Sequence, residues 1–265
     1  MLENYSGSTR IVPIIGHPIA QVLAPVRVTK AFEKRGVNGI CVPIHVRPEN
    51  FKSFMDAARH FENADGLIFT VPHKLAAYEY CDEVSDLARF LRSVNTIRRM
   101  PDGRLQGDMF DGVAMLSACR DNGCVFEGRR ALLVGAGGAG TAIAYAIATS
   151  GVSELVIADV DHERSVQLVA RLSAQGHPVR AGSADSGAFD ILINATPMGM
   201  RPADPLPVPL TALKPGVFVG DVVTAPSIPP VIAAARTAGC GTSTGSEMSI
   251  KVCELMVDFL INGNE

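Results

Sequence analysis

A lysine and an aspartate are the residues of this chain whose types best suit proton transfer at a hydroxyl. Lys74 closes the run Thr70-Val71-Pro72-His73-Lys74, and Asp111 follows Gly107-Asp108-Met109-Phe110. An ammonium beside a carboxylate can pass a proton to or from an alcohol being oxidised: the carboxylate fixes the ammonium, and the ammonium polarises the carbonyl product. Asn95, in Val94-Asn95-Thr96-Ile97, adds a neutral amide. Taken singly, Lys74 also reads as a solvated surface charge and Asp111 as a helix N-cap, and spacing alone does not bring the two together.

A second group of residues is organised for binding. The stretch from Ala131 to Ala144 is an apolar run that breaks into glycines and resumes as small helix formers, so it reads as strand, tight turn and helix. Gly135, Gly137 and Gly140 fit G-x-G-x-x-G, and the backbone N–H groups around Gly138 and Ala139 open the helix, where the dipole favours a pyrophosphate. A second apolar run, Ser153 to Asp159, ends in an acid about 20 residues further on, where a ribose-binding carboxylate belongs. Asp161 follows, and no Arg stands at positions 158 to 161 to receive a 2′-phosphate. These residues predict NAD as the preferred cofactor, with NADP as the second choice. The competing reading of Asp159 is a cap on the next helix.

The elements that must position these groups alternate. Strands are expected at Ile11–Gly16, Gly39–Val46 and Gly66–Pro72, with helices opening near Pro25 and near Arg47 to Asn50. Val94–Arg99 and Leu105–Asp108 read as a hairpin joined by Pro101-Asp102-Gly103. A helix from Asp111 to Arg120 leads into the glycine-rich half, which continues through strands at Asp190–Thr196 and Val217–Val223. Residues 202–209 and Leu210–Gly216 read as loops, and Met248–Ile261 as a helix with one buried stripe. The pattern is α/β, with open, largely parallel sheets whose ligands sit beyond the carboxyl ends of the strands.

Composition narrows the partners. With 47% hydrophobic and 19% charged residues, the 265-residue chain can bury a large core; a net charge of −3 without a basic block argues against nucleic acid or an anionic membrane. Six scattered cysteines without a C-x-x-C pair, and the absence of a basic-then-apolar leader, predict reduced thiols in a cytoplasm, no metal site, and no bilayer span. A small molecule is the expected ligand.

Several of these motifs, in one order along nearly the whole chain, resemble shikimate dehydrogenases and their quinate-oxidising relatives. The matches are Gly16-His17-Pro18-Ile19-Ala20, Thr70-Val71-Pro72-His73-Lys74, Val94-Asn95-Thr96-Ile97, Gly107 with Asp111-Gly112, the glycine turn, Ile193-Asn194-Ala195-Thr196-Pro197-Met198-Gly199-Met200, and Gly245 with Met248. The resemblance implies a substrate domain at 1–110, a Rossmann dinucleotide domain at 111–244, and a C-terminal helix within 245–265 that packs back onto the first domain, with a cleft between the two. It implies that Lys74 and Asp111 are the catalytic pair and that Thr70 and Asn95 contact substrate. It further implies that Asn194, Thr196, Met198, Val222, Gly245 and Met248 join the glycine turn and Asp159 around the cofactor. The expected protein is a monomer or homodimer acting on a hydroxy acid or alcohol.

The departures from that family lie at the substrate. A Ser-x-Ser pair that holds the substrate carboxylate is replaced by Val22-Leu23-Ala24. Ile68 stands for an Asn, Met109-Phe110 for Asn-Thr, Thr224 for a Tyr and Val252 for a Gln. Arg27 and Lys251 are the basic residues that could substitute for the clamp. The expected activity is therefore hydride transfer on shikimate, quinate or a related, less polar substrate; the alternative is a non-catalytic NAD-binding metabolite sensor on the same fold.

Overall fold

The computed structural model describes residues 5–184, 188–201 and 203–262. Position 202 of the expected 202–209 loop, and residues 1–4 and 263–265 of the expected terminal segments, lie outside the described residues. The chain divides into two compact units, Met1–Phe110 with Cys253–Glu265, and Asp111–Val252.

The first unit contains β1 (Arg10–Gly16), α1 (Ala24–Lys34), β2 (Gly39–His45), α2 (Phe51–Ala58), β3 (Gly66–Phe69), α3 (Lys74–Tyr78), β4 (Glu83–Val84), α4 (Asp86–Leu91), β5 (Thr96–Arg99) and β6 (Leu105–Asp108). Their sheet runs β2-β1-β3-β5-β6-β4. β1 pairs in parallel with β2 and β3, whereas β5 is antiparallel to both β3 and β6. Ile14 and Ile15 of β1 and Ile68 and Phe69 of β3 are buried at the centre, as continuous apolar strands covered on both faces should be.

β3 stops at Phe69, short of the expected Pro72. The Thr70 N–H still reaches the Ile15 carbonyl at 2.9 Å, but Pro72 has no N–H to continue a ladder, and the chain turns so that the His73 N–H bonds the Thr70 carbonyl at 2.9 Å. Likewise Asn95 precedes β5 rather than lying within it. Its backbone is nevertheless paired on both sides, its carbonyl accepting from Phe69 N–H at 2.8 Å and its N–H donating to the Asp108 carbonyl at 2.9 Å.

The second unit contains α5 (Asp111–Asp121), β7 (Arg130–Val134), α6 (Gly138–Ala148), β8 (Glu154–Ala158), α7 (His162–Ser173), β9 (Val179–Ala181), β10 (Ile191–Asn194), β11 (Phe218–Asp221), α8 (Pro230–Thr237) and β12 (Gly241–Ser243). The sheet order β12-β11-β10-β7-β8-β9 is parallel throughout. It reverses direction between β7 and β10, which is the Rossmann arrangement, with its crevice at that switch point. The loop expected at Leu210–Gly216 contains a short 3-10 turn at Leu210–Ala212.

The last helix, α9 (Gly245–Ile261), starts three residues before the expected Met248. Thr244 and Glu247 form a capping box: Glu247 Oε2 accepts from Thr244 N–H at 2.7 Å and Oγ1 at 2.8 Å, and Thr244 Oγ1 accepts from Glu247 N–H at 3.3 Å. Residues 245–252 of this helix cluster with the second unit, so the boundary lies eight residues beyond the expected end at 244. In the first unit, Arg35 at the end of α1 forks onto Asp258, with Nη2 to Oδ2 at 2.8 Å, and anchors the second half of α9.

Candidate active site

In the first unit, the sequence-predicted residues gather at the carboxyl ends of β1, β3 and the segment before β5. Lys74, half-buried, is the first residue of α3, and its backbone carbonyl accepts the Val94 N–H at 3.0 Å. The turn that carries it is held by His73, whose buried ring stacks on Phe51 at 4.6 Å and meets the Val46 carbonyl through Nε2 at 2.7 Å. The Thr70 methyl packs where a side chain on Gly16 would lie. Asn95, 0% exposed, accepts the Phe110 N–H and the Thr96 hydroxyl at 3.2 Å each through Oδ1. Asn95 thereby fixes the backbone immediately ahead of Asp111 in the chain.

The residues that depart from the family pattern bring hydrocarbon. Val22 and Ala24 are half-buried at the start of α1, around an exposed Leu23. Ile68, Met109 and Phe110 are all buried, and the Phe110 ring packs on Phe259 at 5.4 Å. Each contributes to the core without a side-chain donor or acceptor of the kind an Asn or Thr would supply. Sequence reasoning missed a polar pair at the same edge. His17 and His45, at the ends of β1 and β2, stack at 5.0 Å with Nδ1 of the first 2.8 Å from Nε2 of the second, one nitrogen donating and the other accepting. The available signal was that His17 follows the end of the first expected strand and His45 lies one residue before the end of the second.

In the second unit, Asp111 opens α5 and is half-buried. The turn after β7 is built as a cradle. Gly135 has φ +106°, which a side chain would strain, and a Cβ on Gly140 would collide with the Gly135 carbonyl. Gly137 and Gly138 face open space, Ala139 lies in the first turn of α6, and no side chain caps that helix. This is the geometry a pyrophosphate requires. Asp159 does not cap α7; Asp161 does, its Oδ1 accepting from the Arg164 N–H at 3.3 Å. Asp159 instead bonds the glycine turn, Oδ2 accepting from the Ala136 N–H at 2.7 Å.

Asn194 at the tip of β10 ties the next loop together. Its Oδ1 accepts from Thr196 N–H at 3.0 Å and Oγ1 at 2.6 Å, and its amide donates to the Met198 and Asp221 oxygens at 3.2 Å each. Val222 is half-buried and Thr224 exposed on the loop after β11, and a side chain on Gly245 would collide with the Val222 carbonyl. Met248 is buried on α9 and Val252 half-buried. Lys251, one candidate for the missing clamp, is engaged by Asp121 at 2.6 Å, while Arg27 is half-buried on α1.

Thiol chemistry is disfavoured by burial, which pushes Cys81 and Cys124 up to about 12 and Cys253 to about 11 and raises Cys41 and Cys119 further. Among the described residues no three His, Cys, Asp or Glu side chains are grouped to hold a metal, and no helix is long and apolar enough to cross a membrane.

The family model described as the shikimate dehydrogenase substrate binding domain matches residues 14–97. The chain is 38% identical over 253 residues to a shikimate dehydrogenase (NADP(+)) of Rubrobacter xylanophilus, covering 93% of this chain and 89% of that protein. Among solved structures, it resembles a quinate dehydrogenase from Corynebacterium glutamicum in complex with NAD (29% identity, TM-score 0.84, 96% and 94% of the two chains). It also resembles a 5-ketofructose reductase of a Gluconobacter species (25% identity, TM-score 0.88, 96% and 93%). The chain belongs to the shikimate dehydrogenase family of oxidoreductases.

Proposed function

We propose that this protein transfers hydride reversibly between NAD and a secondary hydroxyl, or its ketone, on a small substrate that carries less charge than shikimate or quinate. The observation that carries this reading is the pairing of a retained proton-transfer set with a substrate surface turned to hydrocarbon. Lys74, Asp111, Thr70 and Asn95 are kept, while half-buried Val22 and Ala24 stand in place of the two clamp hydroxyls and Ile68, Met109 and Phe110 put buried hydrocarbon where the family has polar side chains. A hydrogen bond to a charged ligand group contributes about 1.5–3 kcal/mol, so losing two weakens carboxylate binding by roughly 10²- to 10⁴-fold. The likeness to a reductase of a keto sugar, a substrate class without a carboxylate, points the same way.

Bound NAD supplies the hydride acceptor. Lys74 Nζ, as the amine, takes the hydroxyl proton during oxidation and, as the ammonium so formed, returns it during reduction and polarises the carbonyl oxygen. Asp111 is the carboxylate that the family resemblance assigns to the same catalytic pair. Thr70 and Asn95 direct the substrate hydroxyls. Gly135 to Gly140 hold the pyrophosphate, and Asp159 accepts from the ribose hydroxyls and repels a 2′-phosphate, which supports NAD over the NADP named for the Rubrobacter relative.

The test is a screen of polyols, keto sugars, hydroxy acids and simple alcohols for NAD reduction, with shikimate and quinate as references. Turnover of a neutral hydroxyl compound at a KM well below those of the two acids is expected. Efficient turnover of either acid at a micromolar KM would overturn the altered-substrate reading. Binding of NAD with no turnover of any compound, unchanged in Lys74→Ala, would favour the sensor.

A further inference from the structure

We propose that Asp221 is a positioning residue for the cofactor, holding Asn194 and through it the turn from Thr196 to Met198. This rests on the reading that Asn194, Thr196 and Met198 lie around the cofactor. Asn194 and Asp221 are partners in the β10–β11 register and end their strands side by side. The Asn194 amide has its bonding capacity committed: its Nδ2 donates to Asp221 Oδ1 and to the Met198 carbonyl, while Oδ1 accepts twice from Thr196. The Thr196 hydroxyl in turn accepts the Met198 N–H at 3.1 Å. Asp221 Oδ1 also accepts the Val223 N–H at 2.8 Å, so one carboxyl oxygen sets both the loop after β10 and the loop after β11. Without Asp221, the Asn194 amide loses a partner and can rotate out of the arrangement that closes the turn.

The other oxygen, Oδ2, is fully buried and has no hydrogen-bond partner. Ionisation there would leave charge uncompensated, and burial accordingly pushes Asp221 up to about 7 against the opposing bonds from Val223 and Asn194. The groups around this strand end are the Asn194 amide from β10, the buried Ser243 hydroxyl on β12, and from α5 the sulfurs of Met115 and Cys119 against Gly220, the Cys119 thiol kept protonated by burial. From α9, Glu247 is turned onto the Thr244 N–H and hydroxyl. Asp221 Oδ1 accepts the Asn194 and Val223 bonds in either protonation state, while burial of the unpartnered Oδ2 favours the neutral acid.

The experiment measures NADH binding to the purified full-length protein by fluorescence between pH 5.5 and 8.5, with thermal melting on the same samples. Asp221→Asn keeps the Oδ1 acceptor and cannot ionise; it should bind NADH as tightly as wild type at pH 6. Asp221→Ala should bind roughly tenfold more weakly across the range, and Asn194→Ala should do the same if Asp221→Ala does not fold. Wild-type affinity in the folded Ala variants, or Asp221→Asn as weak as Asp221→Ala at pH 6, overturns the proposal while leaving the glycine-turn reading intact. Absence of NADH binding by wild type and by Asp221→Asn overturns both.

Discussion

The Asp159 carboxylate accepts the Ala136 N–H at 2.7 Å through one oxygen and the Asp161 N–H at 2.8 Å through the other, tying the tip of β8 to the turn after β7. The acid expected to read ribose thus also shapes the cradle. Asp159→Asn keeps one acceptor oxygen while removing the charge that opposes a 2′-phosphate. The KM ratio of NADP to NAD should fall by roughly tenfold or more in steady-state assays. A wild type that uses NADP as well as NAD would contradict this assignment.

Lys74→Ala should lower turnover by about 10²- to 10⁴-fold, the range of general acid–base catalysis, with NADH affinity unchanged. Single-turnover hydride transfer and fluorescence titration separate the two effects.

Restoring hydroxyls at the start of α1 tests the substrate surface directly. Val22→Ser with Ala24→Ser should lower the KM for shikimate or quinate by roughly tenfold or more, since even one recovered charged hydrogen bond contributes about 1.5–3 kcal/mol. An unchanged KM would mean that these two positions do not meet a carboxylate.

The raised Asp221 pKa also has a stability sign. Between about pH 4 and 7 the native state binds a proton that the unfolded chain releases, so stability falls as pH rises through that window and levels off above it. A displacement from 3.8 to about 7 corresponds to a few kcal/mol at most. Urea titrations at pH 4.5, 6 and 8 should show that part of the slope disappear in Asp221→Asn.

Thr244→Ala removes the reciprocal cap on α9 and should cost about 1 kcal/mol by the same titration, while Thr244→Ser should retain most of it.

What the sequence determined by itself is chemistry carried by near neighbours. The glycine turn was legible because its backbone conformation, helix start and strand lie within one short stretch. The strands were legible as apolar runs, and the Thr244-Glu247 box lies in the sequence just ahead of the apolar stripe of the last helix. Lys74 and Asp111 stand out in the sequence by type and by family resemblance. Only the tertiary structure decided that β5 runs antiparallel between β3 and β6, that Asp161 rather than Asp159 caps α7, and that residues 245–252 of the last helix cluster with the dinucleotide unit. It also decided that Asn95 holds a backbone 15 residues away and that Asp221 is buried with one oxygen unpartnered. The physical reason is that a polar side chain's partner and burial depend on which distant strand ends the fold sets beside it, whereas turn geometry and apolar periodicity depend on residues a few positions apart.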